Sequence, residues 1–144
     1  MNKHALKAYG QKSLELEVES ASPHKLILLL FDGAIQAVKQ ARFHMENGNV
    51  AEKGRLISKA IAIVDEGLLA ALDRKAGGEL ADNLAALYTY CCERLFAANR
   101  NNDGAALDEV ANLLGELKGA WEEIGKPQAA AGDAGKPGLN YGAV

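Results

Sequence analysis

Helix breakers are scarce in this chain. Its three prolines stand at positions 23, 127 and 137, so residues 24–126 run without one. A segment free of proline can keep every backbone N–H in helical hydrogen bonding. Cysteine is equally sparse, and the two present, Cys91 and Cys92, are adjacent. Neighbours on a helix point about 100° apart, which disfavours a bond between them, and two thiols without nearby His or carboxylate spacing make no zinc site. They read as small residues packed in or beside a core. There is no block of Lys or Arg, and formal net charge is −3, so the footprint of a nucleic-acid binder is missing. The start, MNKHALKAYG, lacks the apolar centre of a signal peptide, and no apolar run approaches bilayer length. The expectation is a cytoplasmic protein without membrane insertion.

Catalytic signatures are absent too. No P-loop, GxSxG, HExxH or GxGxxG context occurs, and no Glu-x-x-His pair of the kind that builds di-metal sites in helical bundles. Neither enzyme activity nor a metal or cofactor is expected.

What is present is helical periodicity. Apolar residues recur at spacings of three and four across the proline-free interval, and its interruptions carry helix-end chemistry. Ser22 and Pro23 form an N-cap and first helical position, and ENGN ends that helix, with Gly48 suited to the left-handed conformation. A second helix opens at Asn49, with Glu52 completing a capping box, and closes before Gly77 and Gly78. A third spans Glu79 to Asn99, and a fourth follows RNND and runs to about Ile124. Short connections make this an all-α, antiparallel up-down four-helix bundle over residues 22–124. Residues 125–144, rich in Gly, Ala and Pro, read as a flexible tail without a role. Residues 1–21 form an N-terminal covering segment: SLELEVES alternates apolar and acidic residues, and an extended run would present Leu14, Leu16 and Val18 on one side, with Tyr9 upstream.

The first helix has more apolar width than one bundle face requires. Projected at about 100° per residue, its apolar positions from Leu26 to Leu28 sweep roughly 200°, interrupted by Arg42, whereas a core stripe needs about 100°. The second helix is widened as well, with Leu56, Ile63, Gly67 and Ala70 flanking the stripe of Ile57, Ile61, Val64, Leu68 and Leu72. A four-helix bundle of this size is not expected to bury both surpluses. Either the first helix is central and covered by the N-terminal segment, or its face of Ile27, Leu28, Phe31, Ile35 and Val38 is a groove for a partner's apolar segment. Both hold if the covering segment moves when a partner arrives.

Other side chains have simpler readings. His4, His24 and His44 carry no ligand spacing; His44, near a helix C-terminus, would complement its dipole. A histidine phosphotransfer module is the rival reading of a bundle this long, although Arg42 and Met45 beside His44 do not supply its Lys and Gly pattern. A structural bundle that homodimerises through the surplus face is another. Tyr88 lies on the stripe of Leu84, Cys91 and Leu95, and Trp121 shares a face with Val110, Leu114 and Leu117, so both belong in the core. Tyr90 falls off that stripe, as a rim contact or an exposed aromatic.

Taken together, Tyr9, SPHKLILLLFDGAIQAVKQA, GGELADNLAALYTYCCERLFAAN and LDEVANLLGELKGAWEEI resemble the flagellar export chaperone family FliS, over nearly the whole chain to Ile124. The resemblance implies a cytoplasmic chaperone that binds the disordered C-terminal segment of flagellin, prevents its premature polymerisation and assists delivery to the type III export gate. It also implies that the segment bearing Tyr9 covers a hydrophobic site when cargo is absent. Phe31 departs from the pattern, since many relatives carry Tyr before the Asp-Gly pair.

Overall fold

A computed structural model describes residues 20–125. Four helical rods follow in chain order: α1 (Pro23–Glu46), α2 (Val50–Ala62), prolonged by a π-helical segment (Ile63–Leu69), α3 (Arg74–Asn101) and α4 (Gly104–Gly125). No strand occurs among the described residues. The Ser22 side chain accepts from the Lys25 N–H at 3.1 Å and so starts α1 as its sequence indicates, and Gly48 beyond its end takes φ 73°.

The second and third helices are divided differently from the expectation. Helical structure ends at Leu69 and resumes at Arg74, because Asp73 caps a new helix by accepting from the Ala76 N–H at 2.9 Å. The Gly77–Gly78 pair then breaks α3 from within, with Gly78 at φ 57° and ψ −137°. The expected capping box at Asn49 does not form: Arg55 holds both Glu52 carboxylate oxygens at 2.9 Å, and the Asn49 amide Nδ2 meets His44 Nδ1 at 3.0 Å.

The surplus apolar width has an internal explanation. Helix α1 is packed extensively on two sides, by α2 with its π segment and by α4, while α3 lies diagonally across the core. Its arc is therefore divided between the α2 rod and α4, with Phe31 reaching the Tyr88 ring of α3. Leu30 meets Gly67 and Gly33 meets Ile63, where a Cβ on either glycine would come within 3.1–3.3 Å of the facing side chain. Ile27, Phe31, Ala34 and Val38 point inward, and Ile35 turns toward α4; all are buried. The π turn, with i→i+5 bonds, inserts one residue into the α2 rod. It accompanies the flank of Ile63 and Gly67 that faces α1. The expectation that the bundle cannot bury both surpluses is thus overturned for most of the α1 arc, where Leu26, Leu28 and Leu30 remain half-buried; the α2 rod keeps Ile61 and Ile63 half-buried and Ala70 exposed.

Polar ties fasten one end of the bundle. Lys53, only 6% exposed, donates from Nζ to the Asn99 carbonyl at 3.1 Å and to Asn102 Oδ1 at 3.2 Å. Its charge meets the negative end of the α3 dipole, where Asn102 provides a left-handed C-cap at φ 54°. Nearby, Arg42 of α1 pairs with Asp108 of α4 at 3.2 Å. Further along, Glu109 of α4 accepts from the Tyr90 hydroxyl and from Arg94 Nε, both on α3. These two bonds hold the Glu109 carboxyl below its ordinary pKa. Tyr90 is accordingly a rim contact between α3 and α4.

Cys91 is buried in the core and Cys92 is half-buried. Burial, reinforced by its neighbour Cys92, pushes the Cys91 thiol up to about 12, and burial with Asp65 nearby pushes Cys92 up to about 11. At pH 8 Ellman's reagent is expected to leave Cys91 untouched in the folded protein and to modify Cys92 slowly, while both react at once in guanidinium. Rapid stoichiometric labelling of two thiols without denaturant would contradict this packing.

Candidate functional site

At the other end of the bundle, α3 and α4 leave an apolar cleft of about 180 Å³. On α3 the spacing of four places Leu80, Leu84 and Tyr88 in one row, and on α4 Leu117, Ala120 and Trp121 form the facing row. Phe31 of α1 closes the floor, its ring 6.4 Å from that of Tyr88. Among the described residues no charged side chain lines the space. Ala120 is too short to fill it, and Leu80 at the mouth is 41% exposed.

The Trp121 wall is fixed from behind. Its Nε1 donates to the His24 carbonyl at 3.0 Å, and the His24 ring stacks on the indole at 4.7 Å between centroids, 21° from parallel. One turn earlier on α4, Lys118 Nζ lies 2.6 Å from Asp32 of α1. That contact raises the Lys118 pKa, with a smaller contribution from Glu122. The α1–α4 side of the cleft is therefore pinned, whereas its α3 side begins just after the Gly78 break.

A second concavity runs along the outer α1–α4 seam. About 650 Å³ in volume, it has a floor of Ile35, Ala111, Gly115 and Gly119 between rims bearing Asp32, Lys39 and Glu116. A Cβ added at Gly115 or Gly119 would meet none of the described residues within 4 Å. Glycine inside a helix costs about 0.8–1 kcal/mol relative to alanine. Gly115→Ala and Gly119→Ala are each expected to raise unfolding free energy by about that amount, read from urea midpoints at unchanged slope. A loss of stability in either would mean that the floor is occupied.

The residues singled out in the sequence separate into three groups. Phe31 lines the cleft; Ile27, Ile35 and Val38 are buried by the chain's own helices; Leu28 is half-buried on the flank of α1. Tyr9, Leu14, Leu16 and Val18 lie outside the described residues. Sequence reasoning assigned Tyr88 and Trp121 to the core, which they do join, but missed that Leu80, Leu117 and Ala120 make an opening beside them. The available signal was a small residue, Ala120, facing a row of large ones. His44, the candidate phosphotransfer residue, has its Nδ1 against the Asn49 amide.

The sequence matches the family model "Flagellar protein FliS" across residues 5–128. The chain belongs to the FliS family. It is 50% identical over 125 residues to the flagellar secretion chaperone FliS of Salmonella typhimurium, covering 87% of this chain and 92% of that protein. The flagellar secretion chaperone FliSB of Pseudomonas aeruginosa is 50% identical over 120 residues, covering 83% and 94%. FliS of Bacillus subtilis retains 33% identity over 116 residues, covering 81% and 82%. The FliS match spans all four helices and the cleft, and stops three residues beyond α4.

Proposed function

We propose that this FliS-family chain is a cytoplasmic chaperone that holds the C-terminal segment of flagellin against α4, blocks its premature polymerisation and presents it to the flagellar export gate. The observation that carries this reading is the charge-free cleft of Phe31, Leu80, Leu84, Tyr88, Leu117 and Trp121, open at its mouth in a chain of a secretion-chaperone family. Such a cleft accepts one large apolar anchor from the face of an amphipathic helix, and the glycine-floored seam on the other side of α4 admits close backbone approach. Ordering a cargo residue costs about 1–2 kcal/mol, and each fully buried Leu, Ile or Phe contributes about 1.5–3 kcal/mol. Cargo must therefore supply an anchor every one or two residues, which a helix with one apolar face does.

In this reading the N-terminal segment with Tyr9, Leu14, Leu16 and Val18 covers the half-buried flank of α1 around Leu28 between cycles. Calorimetric titration of a flagellin C-terminal peptide into the full chain is expected to give one-to-one binding that survives roughly 1 M salt, because apolar contact is not screened. Hydrogen exchange in the complex should slow at residues 80–88 and 113–121. Binding that disappears at moderate salt, or that requires the N-terminal segment of flagellin instead, would refute the proposal.

A further inference from the structure

Helix α4 ends at Gly125, one turn beyond Trp121, so the polypeptide leaves the bundle beside the cleft. The exit is tight: a Cβ at Gly125 would fall 2.0 Å from His24 Nε2. Residues 126–144 read KPQAAAGDAGKPGLNYGAV. All three of their charged side chains, Lys126, Asp133 and Lys136, precede Pro137, and all three of their large apolar side chains, Leu139, Tyr141 and Val144, follow it. The family match ends at residue 128, so the pattern of relatives does not account for this arrangement. We propose that residues 139–144 dock within the same molecule into the cleft between α3 and α4, with residues 126–138 as their tether.

Reach, size and charge all fit. A Gly/Ala-rich tether of this length has a root-mean-square span of about 20 Å, while Trp121 stands only about 6 Å along the axis from the end of α4. A tether this short keeps its cargo at an effective concentration of order 1 mM. A dry cavity of about 150 Å³ accommodates benzene, and the cleft measures about 180 Å³. It thus takes one aromatic ring, and Tyr141 is the only aromatic residue after Trp121. The phenol ring enters beside Trp121 and Tyr88, its hydroxyl stays at the wet mouth, and Leu139 packs on the exposed side of Leu80. Neither the cleft lining nor residues 139–144 carry a charged side chain. The segment acts as an internal competitor that any incoming apolar ligand displaces, whether or not that ligand is flagellin.

The single tryptophan of the chain is Trp121, in the cleft wall, so its fluorescence reports occupancy directly. The experiment compares the full chain with the double variant Leu139→Ser, Tyr141→Ser, using acrylamide quenching of Trp121 and titration with the apolar dye ANS. Removing the insert is expected to roughly double the quenching constant and to tighten ANS binding about three- to tenfold, as displacement of a competitor at millimolar effective concentration requires. In the unsubstituted chain, quenching is expected to stay constant over roughly a hundredfold dilution, as intramolecular contact demands. Unchanged quenching and dye affinity in the variant would overturn the proposal. So would quenching that rises on dilution, which assigns the insert to a second copy, or a response confined to Leu14→Ser, Leu16→Ser, which assigns it to the other terminus. None of these readouts uses flagellin, so a failed cargo titration leaves the test intact.

Discussion

Leu80→Glu is expected to weaken binding of the flagellin C-terminal peptide about thirty- to a thousandfold, the range of losing one interface anchor worth about 2–4 kcal/mol. Leu80 sits at the mouth of a cleft with no charged lining, so the introduced carboxylate would have to be desolvated by any apolar segment that enters. The bundle itself should tolerate the change. Leu80 is 41% exposed, and a carboxylate just after the Gly78 break complements the positive end of the main α3 rod. Unfolding free energy is expected to move by less than about 1 kcal/mol. Leu80→Met, similar in volume and apolar, should bind within a few-fold of the unsubstituted chain. Calorimetry on both variants decides the matter: full affinity in Leu80→Glu would show that cargo does not use this opening.

Phe31→Ala should act on the other side of the balance, lowering unfolding free energy by about 3–5 kcal/mol. The ring is 2% exposed, stands against Tyr88 and belongs both to the core and to the floor of the cleft. Its loss leaves a void next to an existing opening, which α3 cannot close without moving Leu84 and Tyr88. For about a hundred ordered residues the melting midpoint should fall by roughly 10–20 °C, measured by circular dichroism at 222 nm. A fall of less than about 3 °C would mean that the ring is not packed as described. The affinity of this variant must be measured well below its own midpoint, since a shortfall of folded protein otherwise passes for weak binding.

The sequence was most informative where one residue type leaves few conformations open. Ser22 and Pro23 fixed the start of α1, and Gly48 its end, because side-chain capping and a positive φ are local matters. The division between α2 and α3 was less legible. Asp73 competes with Gly77 and Gly78 as a boundary, and a capping bond, which stops one helix by starting another, does not show in apolar periodicity. The wide arc of α1 was correctly drawn, and its two readings, a central helix or a face for a partner, could not be separated from the sequence. A single-helix projection cannot distinguish a face reserved for a partner from a helix wedged between two neighbours, and Gly33 and Gly67 are what allow the second. The cleft belongs to no single helix. It exists because Ala120 opposes Leu80 and Leu84 across an interface, a pairing that emerges only in three dimensions.

The buried Lys53 has a mechanical consequence. Its bonds to Asn99 and Asn102 clamp one end of α3, and Tyr90 and Arg94 hold the same half to Glu109, while the opposite half starts at the Gly78 break and carries the wall of the cleft. α4 is meanwhile riveted to α1 through Trp121 and Lys118. The molecule is built like a clothes-peg, with its spring at Lys53 and α3 as the yielding arm. The free half of that arm, some 16 Å from the Tyr90 tie to the Gly78 break, moves its tip by about 3 Å when it tilts by about 10°. That is enough to admit a larger side chain without separating the helices.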